Sequence, residues 1–415
     1  MRFLWLAFLL ALILALASVG FWWHRQATKS QLAFMPHKVI NAHPSGPVMR
    51  IAFSPDGQLL VTRGEADKTV RVWSVKDGQL LYEIHIPLVP PPQPICFAFS
   101  PDGQLLAVGY ADGAVRIFNA KDGQPKRTLR HSPRVNWLGL IAFSPNGKLL
   151  AQTWDDFSVT LGNPPSIIED HRVFVWEVAT GKLVRELKSN NQTMSIAFSP
   201  NGKQLVVAEP NFNFRTASIG LTLNLWDTKT WQKRTLNFAS LVPYPYILGR
   251  YETTAFLSDP QRFLMPVSYG NKVFVFRFHP PAVEQVFTAL NFPFALHPRA
   301  GIAWGPELVY AVQRDMLAVV EKGGIPQQLY RLNMSLPDHP LLDKFKVSLE
   351  RALMRNLRRT EQIIRCYRLP DGKEVARLRR SAREGWIHSL ALSPDGRYLA
   401  AGLDSGQVVI WVRAR

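Results

Sequence analysis

Cysteine is almost missing from this chain of 415 residues: only Cys96 and Cys366 occur. Two thiols cannot build a disulfide framework, and neither has partners at metal-ligand spacing, which excludes a disulfide-stapled fold and a paired-cysteine zinc site. Both lie in apolar stretches that read as core strands, so two buried thiols are expected rather than a bridge. Catalytic signatures are missing too. There is no Gly-x-Ser-x-Gly elbow, no His-Glu-x-x-His and no phosphate-cradling glycine loop. The ten histidines are scattered. No catalytic residue, metal or cofactor is expected. Acidic residues are scarce, 31 against 49 Lys and Arg, for a net charge of +18. That balance points either to an acidic partner (nucleic acid, an anionic membrane, a polyanion or an acidic protein) or to a generally basic surface with none.

What is present begins with an apolar segment. Phe3 to Trp23 form 21 residues without a charge, and about 20 suffice to cross a bilayer as a helix. Arg2 flanks one end and His24 with Arg25 the other, and Trp22 and Trp23 stand where an interfacial belt would lie. A membrane anchor over 1–24 is the expectation, followed by a linker over 25–35. The rival is a signal peptide, since Ala15-Leu16-Ala17 offers a small-x-small cleavage site. The short basic start followed by an apolar run has the form of an export signal, so the expected localisation is a single-pass membrane protein with its globular part outside the cytoplasm.

The remainder repeats. Ile51-Ala-Phe-Ser-Pro-Asp-Gly57 recurs at 97–103, 141–147, 196–202 and 390–396, with weaker copies at Thr254–Pro260 and Ile302–Pro306. Each phrase is an apolar strand closed by a tight turn, in which Pro presets φ, Asp bonds the local backbone and Gly takes positive φ. A second phrase, an alternating strand ending in an aromatic, also recurs seven times: 70–73, 115–118, 173–176, 223–226, 273–276, 364–367 and 408–411. Seven copies of each in alternation predict seven units of four short antiparallel strands.

In these phrases the chain resembles the tryptophan–aspartate (WD) repeat propellers, as a membrane-anchored, bacterial-type member. The resemblance covers 36–415 and implies an all-β, seven-bladed β-propeller. The literal dipeptide occurs once, at Trp226-Asp227. The resemblance implies that His43, Thr62, Asp67 and Trp73 form the structural hydrogen-bond set of the first blade. It places Asp112 and Asp404 at the matching Asp position, and Trp176, Trp226 and Trp411 at the closing aromatic. It also implies that residues near 36–41 supply the missing fourth strand of the last blade. Val178–Lys182 is similar to a quinoprotein propeller repeat, but stands as a single copy.

The departures from the repeat point to function. From the Ser of the first phrase to the aromatic of the second the spacing is 18 or 19 in four units, but 32, 27 and 62 in the third, fourth and sixth. Insertions are therefore expected at 156–170, 209–220 and 313–362, between second and third strands. By the resemblance those loops share one face with the inter-blade loops. Aromatic and Arg residues, the types enriched in binding hot spots, gather there: Phe212, Phe214, Arg215, Tyr244, Tyr246, Arg250 and Tyr251. A basic amphipathic helix is expected over 340–362, with Arg351, Arg355, Arg358 and Arg359 off its apolar stripe. It would lie on a membrane, a partner or its own propeller. Arg351 to Arg383 hold ten arginines and Lys373 against three acids, so the decorated face is expected to be the basic one. The function that follows is a non-catalytic membrane-anchored scaffold for an acidic protein. The alternatives are a propeller enzyme, hydrolase or oxidoreductase, working at its central channel, and a nucleic-acid binder, for which no recognised module is present.

Overall fold

In the computed structural model the described residues are 34–86, 92–131, 139–160, 166–213, 218–243, 255–256, 261–267, 272–288, 310–313, 316–322, 361–369 and 371–414. They form seven four-stranded antiparallel sheets, the blades of a β-propeller. The first blade runs outward in chain order: Val48–Phe53, Leu59–Gly64, Val70–Ser74 and Leu80–Ile84. Neighbouring inner strands pack on one another, as those of the first and seventh blades do.

The repeated turn is a small hydrogen-bond knot. Ser393 Oγ donates to Asp395 Oδ1 at 2.6 Å and accepts from Tyr398 N at 2.7 Å, while Asp395 Oδ1 also accepts Arg397 N at 2.9 Å. Gly396 takes φ +68° to complete the reversal. Ser54, Ser100, Ser144 and Ser199 do the same with Asp56, Asp102, Asn146 and Asn201. This recurrence makes the phrase visible in sequence, because both side chains saturate the turn backbone.

The seventh blade breaks the chain order. Ile387–Leu392, Tyr398–Leu403 and Gln407–Arg413 take their outer strand from Phe34–Asn41. The pairing is antiparallel, Phe34 opposite Arg413 and Asn41 opposite Gln407. The ring is thus closed by the start of the described chain, which leaves no open edge on Gln407–Arg413. The strand also takes in Phe34 and Met35, so the linker expected over 25–35 is two residues shorter. The core lies between blades. Ile40, Val48 and Trp73 pack with Ala400, Val408 and Ile410 across the junction of the seventh blade with the first. Each such fully buried aliphatic contributes about 1.5–3 kcal/mol.

Three expectations need correction. The sixth blade's inner strand is Tyr310–Gln313, not the Ile302–Pro306 phrase, and its second strand is Met316–Lys322. The apolar run Met316-Leu-Ala-Val-Val320 pairs with 364–368, so it belongs to the blade core. The insertion expected at 313–362 shrinks accordingly to 323–360. Glu361 and Gln362 lie in the third strand Glu361–Arg368, so the expected helix cannot reach them; 340–360 lie outside the described residues. Residues 1–33, with the expected anchor, also lie outside them. Among the described residues no helix is long and apolar enough to cross a membrane.

Candidate binding face

Strand direction alternates within each blade, so one face of the ring collects the turns after inner and third strands. The other, called upper here, collects the second-to-third connections and the links between blades. The strand ends that flank all three insertions are therefore on the upper face. Phe34 begins an outer strand, so the chain enters the ring from the lower face.

Two of the insertions are strands. Leu149–Thr160 and Ser166–Glu177 stay paired from Leu149 opposite Glu177 to Thr160 opposite Ser166. In the next blade Gln204–Asn213 and Ser218–Asp227 pair to Asn213 opposite Ser218. The outer strand Lys233–Pro243 accompanies them as far as Pro243 opposite Ser218. Adjacent blades thus send up two extended ladders. The alternation Asp156-Phe157-Ser158-Val159-Thr160, and Asn211-Phe212-Asn213-Phe214 in the next blade, could have signalled strands, but length alone reads as a loop.

Below these ladders the upper corners of the blades are polar and individually built. In the first blade His43 bonds Asp67 Oδ2 through Nδ1 at 2.8 Å and Thr62 Oγ1 through Nε2 at 2.9 Å. Trp73 Nε1 donates to the same hydroxyl at 2.9 Å. Arg71 Nη1 donates to Asp67 Oδ2 at 2.8 Å. A Cβ on Gly64 would lie 2.2 Å from Asp67 Oδ1, so only glycine lets the set close. Burial lowers the pKa of the His43 ring against the pull of Asp67. Burial opposes ionisation of Asp67, yet His43 and Arg71 hold it below the carboxylate range.

The other predicted aromatics do not repeat this set. The position of Thr62 is Val108, Gln152, Val207 and Ala401 in the second, third, fourth and seventh blades. Trp176 Nε1 is buried without a hydrogen-bond partner among the described residues. Trp226 is half-buried under Lys233, whose Nζ stands 5.5 Å from the ring centroid. Trp411 is core. Asp112 takes two guanidinium groups, Arg116 Nη2 and Arg130 Nη2, each at 2.6 Å. Asp404 Oδ1 accepts Trp386 N at 2.9 Å.

A junction that sequence reasoning missed lies under the two ladders. Residues 189–194 link the third and fourth blades and are clamped at the root of each ladder. Thr193 N donates to Asp155 Oδ1 at 3.2 Å, and His171 Nδ1 bonds the same oxygen at 2.8 Å. Asn190 N donates to Glu209 Oε2 at 3.3 Å, and Asn224 Nδ2 to Glu209 Oε1 at 2.5 Å. Asp155 and Glu209 are buried, and burial raises both pKa values. Asp155 Oδ2 and Thr193 Oγ1 have no hydrogen-bond partner among the described residues. Glu209, an acid directly after the apolar run Leu205-Val-Val-Ala208, was the available signal; Asp155, beside Asp156 and after Gln152 and Thr153, gave none.

The predicted partner-binding side chains lie outside the described residues: Phe214, Arg215, Tyr244, Tyr246, Arg250, Tyr251, Arg351, Arg355, Arg358 and Arg359. Phe212 sits on the fourth-blade ladder, opposite Ile219. The arginine cluster does not gather wholly on the upper face. Arg365 and Arg377 both pair with Glu374, and Arg368 pairs with Asp371 at the lower turn of the sixth blade. Arg380 is buried and donates to the Gly385 and Glu384 carbonyls. Strand alternation spreads what looks clustered in sequence. Cys96 and Cys366 are buried free thiols, and burial pushes Cys366 up to about 12.

Residues 34–74 and 372–412 match the family model "WD domain, G-beta repeat". These two stretches are similar to WD repeats. Each starts on or just before an outer strand and ends on the third strand of the next blade, so each matched stretch straddles two blades and ties the ring. Residues 94–141 match the "Anaphase-promoting complex subunit 4 WD40 domain" model. Among individual proteins, Periodic tryptophan protein 2 of Arabidopsis thaliana is 24% identical over 209 residues, 43% of this chain and 22% of its own length. Its Schizosaccharomyces pombe homolog is 35% identical over 79 residues, 19% of this chain and 9% of its own. Autophagy-related protein 18 of Vanderwaltozyma polyspora is 36% identical over 83 residues, 20% and 14% respectively. The chain thus spans less than a quarter of these relatives. All three are eukaryotic, so the expectation of a bacterial type finds no support among them.

Proposed function

We propose that this chain is a non-catalytic scaffold, anchored to a membrane by residues 3–23, that holds an acidic protein partner on its upper face. One observation carries the reading: all three enlarged second-to-third strand connections leave their blades at the same face, two of them as adjacent extended ladders. Extended edge backbone offers main-chain pairing to a partner segment. WD-repeat relatives support an interaction role, since such propellers generally mediate contacts between proteins. The net charge of +18 favours an acidic partner.

Entry of the chain from the lower face supports an orientation in which the ladders point away from the bilayer. The apolar run with its basic start supports export of the propeller. If 1–24 were cleaved as a signal peptide, the same face would serve a released protein.

Photocrosslinking in native membranes tests this reading. A photoreactive residue at Ser158 should yield a protein adduct, whereas one at Asp56, on a lower turn, should not. Adducts from Asp56 alone, or adducts only to nucleic acid, would refute it.

A further inference from the structure

The rim of the propeller is uneven. Most outer strands present polar or basic residues, such as Lys126 and Arg127 in the second blade and Lys233 and Arg234 in the fourth. The junction of the seventh and first blades differs. Met35 and Val39 on the closing strand are 53% and 62% exposed, and Leu80 and Leu81 on the first blade's outer strand 46% each. These strands meet. Lys38 Nζ donates to the Lys76 carbonyl at 2.9 Å, and a Cβ on Gly78 would lie 3.0 Å from Lys38 Cδ. Val39, between Lys38 and Ile40, faces the other side of its blade, which leaves Met35, Leu80 and Leu81 as the exposed aliphatics around this contact, a group unusual on a soluble surface that asks for a cover.

Place and charge indicate which. The patch lies on the strand that the apolar segment 3–23 leads into, ten residues after Trp23. Ten residues reach at most about 35 Å. Met35, Leu80 and Leu81 are at the lower ends of their strands, where the chain enters the ring. Lys76 and Arg413 are exposed at the same corner, and aliphatics beside cations suit the headgroup boundary of a bilayer.

We infer that this lower rim, built from Met35, Leu80 and Leu81, rests on the lipid surface and tilts the propeller on the membrane with its upper face turned away. This rests on the anchored reading above, and deepens it by giving the propeller a defined tilt. Val283 and Val286, exposed on the fifth blade across the ring, point away from lipid in that pose.

Cys96 and Cys366 are buried, so an introduced surface cysteine is the group that a thiol probe reaches. The full chain carrying Leu81→Cys or Val286→Cys is labelled with an environment-sensitive fluorophore. Each is then reconstituted into phosphatidylcholine vesicles containing phosphatidylglycerol and a nitroxide-bearing lipid. Severalfold stronger quenching at position 81 than at 286 is expected. Flotation of the same samples reports the anchor separately. A chain that floats but quenches equally at both positions overturns the rim contact and leaves the anchor standing. A chain that fails to float removes both.

Discussion

Tyr82, on the outer strand of the first blade, donates its hydroxyl to the carbonyl oxygen of Ala120 in the second at 2.5 Å. The relationship recurs around the ring. Lys38 reaches Lys76 O from the seventh blade to the first, and Arg127 reaches Thr180 O and Ala179 O from the second to the third. Arg185 lies over Trp231, and Arg234 bonds His279. All five occupy one register, opposite the residue before the closing aromatic or its equivalent. The outer strands of the seventh, first, second, third and fourth blades thus each clasp the lower turn of the next blade. Tyr82→Phe should cost about 0.5–1.5 kcal/mol, the net worth of a partly buried hydrogen bond. Lys38→Met, at an exposed position, should cost less than about 0.5 kcal/mol. Urea midpoints at unchanged slope would check both.

The corner formed by His43, Thr62, Asp67 and Trp73 should make the first blade acid-sensitive. Thr62→Val strands His43 Nε2 and Trp73 Nε1, and at about 1–3 kcal/mol for each buried orphan it should cost about 2 kcal/mol or more. The folded pKa values of His43 and Asp67 are both lowered. Their contribution is therefore present at neutral pH and lost on acidification, starting near the ordinary histidine value of about 6.5. His43→Gln should flatten that part of the stability–pH curve, measured by thermal melting across the range.

Asp155 should behave in the opposite sense. Burial raises its pKa, so keeping it ionised opposes folding, and its contribution falls as pH rises through the folded value. Asp155→Asn retains an acceptor for Thr193 N and His171. It should leave neutral-pH stability unchanged or higher. Asp155→Ala removes that acceptor and should cost about 1–3 kcal/mol. Hydrogen exchange at Thr193 and Met194 would show whether the junction under the ladders opens.

Closure by Phe34–Asn41 predicts a further pair of outcomes. Ile40 is 5% exposed and packs with Trp73 and Ile410. Ile40→Ala should cost about 2–4 kcal/mol. Removing the strand altogether would uncover the edge of Gln407–Arg413 and should produce aggregation, visible by light scattering.

The scaffold was largely legible in sequence, because the Ser-Pro-Asp-Gly turn and the aromatic-terminated strand both satisfy local backbone demands that recur in each blade. Seven units of four strands each follow from counting them, and the closing role of residues near 36–41 follows from the resemblance to WD-repeat propellers. The sixth blade was misplaced because Ile302-Ala-Trp-Gly-Pro306 imitates the turn phrase, while the true inner strand, Tyr310–Gln313, lacks Ser and Gly. The ladders of the third and fourth blades read as loops because a spacing gives length and no pairing. The rim clasps and the Asp155–Thr193 junction depend on contacts between neighbouring blades, which a repeat read one unit at a time does not display. The arginine cluster misled for a related reason: strand alternation sends Arg365 and Arg377 to Glu374 and Arg368 to the lower turn.

The central claim is that the two ladders form the partner site, and shortening them tests it most directly. In one variant of the full chain, 158–168 and 212–219 are each replaced by a tight hairpin turn, which leaves Asp155, Glu209 and the clamped junction intact. The crosslinked partner, once identified, is titrated against this variant and the unaltered chain. The expected result is at least about a tenfold loss of affinity, or about 1.4 kcal/mol, with an unchanged melting temperature. Equal affinity for the two proteins would contradict the claim.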